Sequence, residues 1–285
     1  MRMKVKAYAK INIGLDITGR REDGYHLIDT IMQTVDLCDE LEIEETRIPG
    51  VTMTCDCPGL ACDDSNLVVR AAKLMLPTEA GVSIALHKVI PMGAGLGGGS
   101  ADAAAVLKAL NDMFEIGYEK GRLDSLGVAL GADVPFALHA GTIRAEGIGQ
   151  ILTRLPSLPK WHVLIVKPSE SVSTADIYKE YDHMWLSDEA RPDMDRLTTA
   201  VKLQDMEGVA HEASNILERV TVKAVPRIKE IRQVMRDYGA VGSQMTGSGT
   251  AVWGIFRSRE AACECAAAFP EKEVYVTQLR AKEER

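Results

Sequence analysis

Gly93, Gly95, Gly97, Gly98, Gly99 and Ser100 stand within eight positions of the stretch PMGAGLGGGSADAAAVLKAL, residues 91–110. Glycine at this density gives up side-chain packing and accepts a large ordering cost, and the usual return is a backbone that another group can approach closely. Turn chemistry alone needs only one or two glycines. Ala101 to Leu110 is strongly helix-forming, with Val106, Leu107 and Leu110 available as an apolar face. The pattern therefore predicts a helix with Ser100 as its N-cap and Asp102 in its first turn, where a negative charge suits the dipole. Free N–H groups of a first helical turn, joined by those of a glycine loop, suit an anion, most often phosphate. The candidate contacts are Pro91, Met92, Gly93, Ala94, Gly95, Leu96, Gly97, Gly98, Gly99 and Ser100.

Several known phosphate loops fail on context. Gly93, Gly95 and Gly98 satisfy G-x-G-x-x-G, but a dinucleotide-binding unit needs a second strand after the helix and an acid about twenty residues on. Here NDMFEIGYEKGRLDSLGVAL predicts a turn and a second helix. No lysine follows the glycines as a Walker loop requires, and no H-R-D or D-F-G set marks a protein kinase. The cationic and acid-base partners of this loop must come from elsewhere in the chain.

The elements that would position them are legible in outline. MKVKAYAKINIGLDITG and DELEIEE alternate as strands, with REDGYH as a turn between them. SNLVVRAAKLML, capped by its serine, predicts a helix, and GVSIALHKVIP a strand running into the glycine loop. A soft boundary falls near residue 157, where prolines flank the apolar strand of PSLPKWHVLIVKPSE. Beyond it come AVPRIKEIRQVMRDYG, a helix, and a second glycine-rich segment, SQMTGSGTAVWGIF.

The 285 residues suffice for two domains with substantial cores. With 33 basic and 41 acidic residues, net −8, the chain has no basic footprint for nucleic acid. No apolar run reaches membrane-spanning length and no leader is evident, so a cytoplasmic protein is expected. Six cysteines in such a chain predict free thiols. The C-x-C-x4-C spacing of CDCPGLAC differs from that of common zinc sites, and the stretch is expected as a loop.

The blocks AYAKINIGLDITGRREDGYH, PMGAGLGGGSADAA and MTGSGTAVWGIF, with LGADVPFALHAGTIRAEGIGQ between the last two, resemble the GHMP small-molecule kinases over almost the whole chain. The resemblance implies an α+β, two-domain GHMP kinase fold. An N-terminal domain like ribosomal protein S5 domain 2 would span 1–157 and carry the ATP-binding loop, and an α+β C-terminal domain would span 158–285. A-K-I-N followed by G-R-R-x-D-G-Y-H, together with G-A-D-V-P-F, is similar to one branch of the family. That branch uses ATP and Mg2+ to phosphorylate the 2-hydroxyl of a methylated polyol bearing a cytidine diphosphate group, in the non-mevalonate route to isoprenoid precursors.

The same resemblance implies roles for individual residues. Lys10 and Asn12 would line the reacting centre, Lys10 supplying the positive charge that the loop lacks. Asp133, in GADVPF, would be the base that takes the substrate hydroxyl proton. Tyr25 and His26 would hold the cytidine by stacking and hydrogen bonding, with Tyr178 as a second aromatic, although an aromatic at helical spacing also suits a core. Asn66 and Asn111 would approach the nucleotide or else simply bound their helices. Ser100 would touch phosphate or magnesium unless capping explains it. The metal ligands are not identified. The implied partners are small molecules, with no nucleic acid and no membrane, in a monomer or weak homodimer. The chain departs from the commoner family wording at Ala101, Asp102 and Gln150.

Overall fold

The computed structural model describes residues 1–184 and 191–281. Packing divides the chain into two compact units that interleave along the sequence. Met1–Ala9, Leu37–Met92 and Gly97–His139 form the first, and Lys10–Asp36, Gly93–Leu96 and the chain from Ala140 on form the second. This division by packing differs from a linear one at residue 157 because two long strands, β1 (Arg2–Arg20) and β2 (His26–Thr46), each contribute to both units. The sequence predicts only 39–45 of β2. Its earlier part, Asp29–Val35, is buried without a break, so no alternation marks it as a strand.

In the first unit the sheet order is β3-β4-β2-β1, with β3 (Gly50–Cys55) parallel to β4 (Gly81–His87) and β4 antiparallel to β2. Between β3 and β4 lies α1 (Leu67–Met75), and after β4 come α2 (Gly98–Met113), α3 (Lys120–Leu130) and α4 (Val134–His139). Leu41, Ile43, Ile84, Val68, Val106 and Leu110 share one core. Alanine lets α2 lie close to its neighbours: Ala101, Ala103, Ala104, Ala105 and Ala109 are all buried. Two expected caps move. Asn66, not Ser65, caps α1, its Oδ1 accepting from the Val68 N–H at 2.9 Å, while Ser65 is held by Asp63. Gly97, not Ser100, caps α2, entering it in the left-handed conformation at φ 68°. That conformation starts the helix early and leaves Ser100 inside its first turn.

In the second unit β1 and β2 continue as a sheet, with β5 (Thr142–Gly147) antiparallel to β2, β6 (Ile151–Arg154) antiparallel to β5, and β8 (Ser214–Asn215) parallel to β1 on the other side. The chain then runs through β7 (His162–Lys167), α5 (Thr174–Tyr181), α6 (Met194–Leu203), α7 (Met206–Glu212), β8 (Ser214–Asn215), α8 (Glu218–Ala224), α9 (Arg227–Asp237), β9 (Gly242–Met245), β10 (Val252–Phe256), α10 (Arg259–Ala266) and β11 (Glu273–Gln278). An antiparallel sheet, β11-β7-β10-β9, carries its core. All five residues of β10 are buried, as a central strand covered on both faces requires. Among the described residues no helix is long and apolar enough to cross a membrane.

Candidate active site

In the second unit, Lys10 and Asn12 lie two residues apart on β1 and so point to the same face. Both are buried, and Lys10 Nζ donates to Asn12 Oδ1 at 2.6 Å. Asn12 Nδ2 in turn donates to Thr30 Oγ1 on β2 at 2.8 Å, and the Asn12 carbonyl accepts from Trp253 Nε1 at 3.0 Å. An ammonium kept from water costs free energy unless its donors are met, and the amide of Asn12 meets one of them. Asn12, expected with Lys10 to line the reacting centre, thus bonds through both ends of its side chain, to Lys10 and to Thr30.

Thr246, between β9 and β10, joins this group to the glycine loop. Its Oγ1 accepts from the Asn12 N–H at 3.0 Å and lies 3.0 Å from the Gly95 carbonyl. The carbonyls of Ala94 and Leu96 also accept within the unit, from the N–H groups of Ala251 at 3.2 Å and Lys10 at 2.9 Å. Three successive carbonyls of the loop are thus tied to the framework. A Cβ on Gly95 would fall 2.1 Å from the Thr246 carbonyl oxygen, so the neighbouring backbone by itself requires glycine here.

Also in the second unit, the REDGYH turn closes with the Arg21 N–H bonded to the Tyr25 carbonyl at 2.8 Å. It leaves Tyr25 64% exposed, able to meet a ligand. His26, at the start of β2, is nearly enclosed: its ring centroid lies 4.9 Å from that of Tyr178 on α5, and Tyr181 meets its edge. His26 Nε2 lies 2.7 Å from Asp182 Oδ1, and Arg20 pairs with the other carboxylate oxygen at 3.1 Å. The hydrogen bond from His26 is the main cause that holds the Asp182 carboxyl below its usual range. An ionised carboxylate only accepts, so Nε2 carries the proton and Nδ1 is the nitrogen left for a ligand.

In the first unit, the N-terminal turn of α2 presents N–H groups with no intrahelical acceptor. The turn before α4 lies against it, since a Cβ on Gly131 would stand 3.9 Å from Ser100 Oγ. Asp133 ends that turn, its carbonyl accepting from the Ala137 N–H at 3.1 Å. Asp102, expected in the first turn as a partner of the helix dipole, is buried and ion-paired with Lys88 at 3.0 Å. Asp39 also pairs with Lys88, and its other oxygen accepts from the N–H groups of Val89 and Ile90 at 2.6 and 2.7 Å. Burial, opposed by the charge of Lys88, pushes the Asp102 carboxyl up to about 7. Burial alone would lower Lys88, but Asp102 and Asp39 outweigh it and hold the ammonium above its usual value.

Asn66 and Asn111 are engaged in local structure. Besides capping α1, Asn66 donates to the Ala61 carbonyl at 2.6 Å. Asn111 clamps both backbone groups of Tyr118, at 2.9 and 3.2 Å. It lies eleven residues beyond Ser100 on α2, about 16 Å along the axis, so the helix does not bring it to the glycine loop. No three His, Cys, Asp or Glu side chains gather as a metal site among the described residues.

The model of the GHMP kinases N terminal domain matches residues 66–141 and that of the GHMP kinases C terminal domain matches residues 197–274. The chain belongs to the GHMP kinase family. It is 42% identical over 267 residues to a 4-diphosphocytidyl-2-C-methyl-D-erythritol kinase of Caldicellulosiruptor bescii, covering 93% of each chain. It is 41% identical over 285 residues to the protein of that name from Lachnospira eligens, covering 97% of this chain and 98% of the other. A crystal structure of 4-(cytidine 5'-diphospho)-2C-methyl-D-erythritol kinase superposes with TM-score 0.83 at 32% identity, over 98% of this chain and 100% of that one. Homoserine kinase from Cytophaga hutchinsonii shares the fold, with TM-score 0.79 at 22% identity over 98% and 96% of the two chains. GHMP kinases use ATP as phosphate donor, consistent with a glycine loop that lacks the Walker lysine.

Sequence reasoning missed Asp182 as the partner of His26. Asp182 follows α5 and resembles any exposed acid at a helix end, and nothing local ties it to His26, 156 residues earlier.

Proposed function

We propose that this chain transfers the γ-phosphoryl group of ATP to the 2-hydroxyl of 4-diphosphocytidyl-2-C-methyl-D-erythritol, in the non-mevalonate route to isoprenoid precursors. The observation that carries the reading is the enclosure of His26 by Tyr178 and Asp182, beside an exposed Tyr25. A flat heterocycle can stack on such aromatic groups and hydrogen-bond to Nδ1, whereas an amino acid or a simple polyol has nothing to stack. The names of the relatives agree with it.

In this reading Tyr25 and Tyr178 hold the cytosine and His26 bonds its edge. Asp133 accepts the proton of the 2-hydroxyl, whose oxygen forms a bond to the γ-phosphorus as the bond to ADP breaks. Lys10, oriented by Asn12, stabilises negative charge on the transferring group. The first turn of α2, with Ser100, and the glycine loop hold the triphosphate. Magnesium would neutralise charge on the phosphates. With no gathered carboxylates among the described residues, phosphate oxygens, water and Ser100 Oγ are its fitting donors. A coupled ADP-release assay with the cytidyl substrate, homoserine, mevalonate and galactose tests the proposal. Turnover confined to the cytidyl substrate is expected, and turnover of homoserine in its place overturns it.

A further inference from the structure

The second unit holds a cavity of about 530 Å³ walled by α8, α9 and β9, none of whose residues has a part in the chemistry above. Arg219 and Lys223 are four residues apart on α8, and Lys229 and Arg232 three apart on α9, so each helix turns a pair of cations to one face. Glu218 is the acid of this wall, and it is fully used: one oxygen pairs with Arg232 and the other accepts from the Met245 N–H at 2.9 Å. Arg219, Lys223 and Lys229 have no ion pair among the described residues. Three positive charges without an ion pair among the described residues thus collect at one concavity of a chain whose net charge is −8. Two buried polar atoms of the wall also lack hydrogen-bond partners among the described residues, the donor Arg232 Nε and the acceptor Gln244 Oε1, Gln244 being only 4% exposed. Buried groups left this way cost free energy that a ligand recovers.

We propose that this cavity binds a small phosphorylated polyol, its phosphate held by the cations of α8 and α9 and a hydroxyl donated to Gln244 Oε1. The phosphate answers the charge and the unpartnered donor, the hydroxyl answers the unpartnered acceptor, and the volume lies in the range of about 300–1,000 Å³ usual for small-molecule sites. A macromolecular polyanion needs an extended basic surface instead.

Calorimetric titration of the full chain with glycerol 3-phosphate, inorganic phosphate and glycerol tests the proposal without reference to catalysis. Glycerol 3-phosphate is expected to bind one to one and more tightly than inorganic phosphate, with no binding of glycerol. The exposed substitutions Arg219→Gln, Lys223→Gln and Lys229→Gln combined should weaken it at least tenfold while kinase turnover is unchanged. Gln244→Met should reduce glycerol 3-phosphate to the affinity of inorganic phosphate. Absence of saturable binding, affinity unchanged in the triple variant, or equal affinity for the two phosphates in the wild type overturns the proposal.

Discussion

His26 and Asp182 are joined by a 2.7 Å hydrogen bond that fixes which imidazole nitrogen is left for a ligand. Asp182 is thus a positioning residue for the proposed cytidine site. Asp182→Asn keeps the shape but offers an amide that binds either tautomer. KM for the cytidyl substrate should rise by roughly tenfold, the scale of one charged hydrogen bond, with KM for ATP unchanged. Steady-state kinetics with each substrate varied in turn checks this, and a parallel rise in both KM values defeats it.

Gly93 and Gly95 separate two reasons for glycine in one loop. Gly95 has φ +76° and the Thr246 carbonyl in the path of a Cβ, whereas Gly93 has φ +61° and nothing within 4 Å. Gly95→Ala should therefore destabilise the protein by about 2 kcal/mol or more in urea unfolding. Gly93→Ala should cost only the left-handed strain, about 1–2 kcal/mol. If the open side of Gly93 faces nucleotide, ATP affinity falls in Gly93→Ala. Unchanged affinity by calorimetry removes Gly93 from the nucleotide site.

Much of this was legible because local chemistry marks it. The turn before Tyr25, the strand into the glycine loop and the helix after it carry alternation, turn residues and alanine content. The buried part of β2 carries no period, and so only its alternating end was visible. Asp102 shows the other limit: a charge in a first helical turn reads as a dipole partner, and its burial depends on Lys88 arriving from beyond β4. Packing of this kind is set by partners distant in the chain, which a local pattern does not encode.

Asp102 makes stability depend on pH in a direction opposite to the usual paired carboxylate. Its carboxyl titrates near 3.8 when unfolded and about 7 when folded. Between those values the native state binds the extra proton, so this group's contribution makes stability fall as pH rises and level off above pH 7. Asp102→Asn keeps the shape and cannot titrate. Its stability relative to wild type should be greatest at pH 8 and shrink towards pH 5, by up to a few kcal/mol at about 1.4 kcal/mol per pKa unit. Urea midpoints for both proteins at pH 5, 6, 7 and 8 measure it. A difference independent of pH would show that Asp102 stays ionised throughout.

Asp133→Asn tests the chemical centre. The substitution keeps shape and hydrogen-bonding reach while removing the proton acceptor, so both substrates should still bind, and kcat should fall by roughly 10²–10⁴-fold. Phosphoryl transfer depends largely on positioning and charge stabilisation, so an Asp133 that merely orients the hydroxyl would also lower kcat. The two roles separate on pH. A base gives wild-type turnover an acidic limb that is absent from the asparagine variant, whereas an orienting carboxylate leaves the limb in place. The turn that ends at Asp133 lies against Ser100 in the first turn of α2, in the same unit, so normal ATP affinity in a folded variant shows that this turn is undisturbed and leaves the pH profile to separate the two roles. Steady-state rates across the acid range, with both affinities measured by calorimetry, decide the matter: near-normal turnover in a folded, substrate-binding Asp133→Asn protein removes Asp133 from the chemistry.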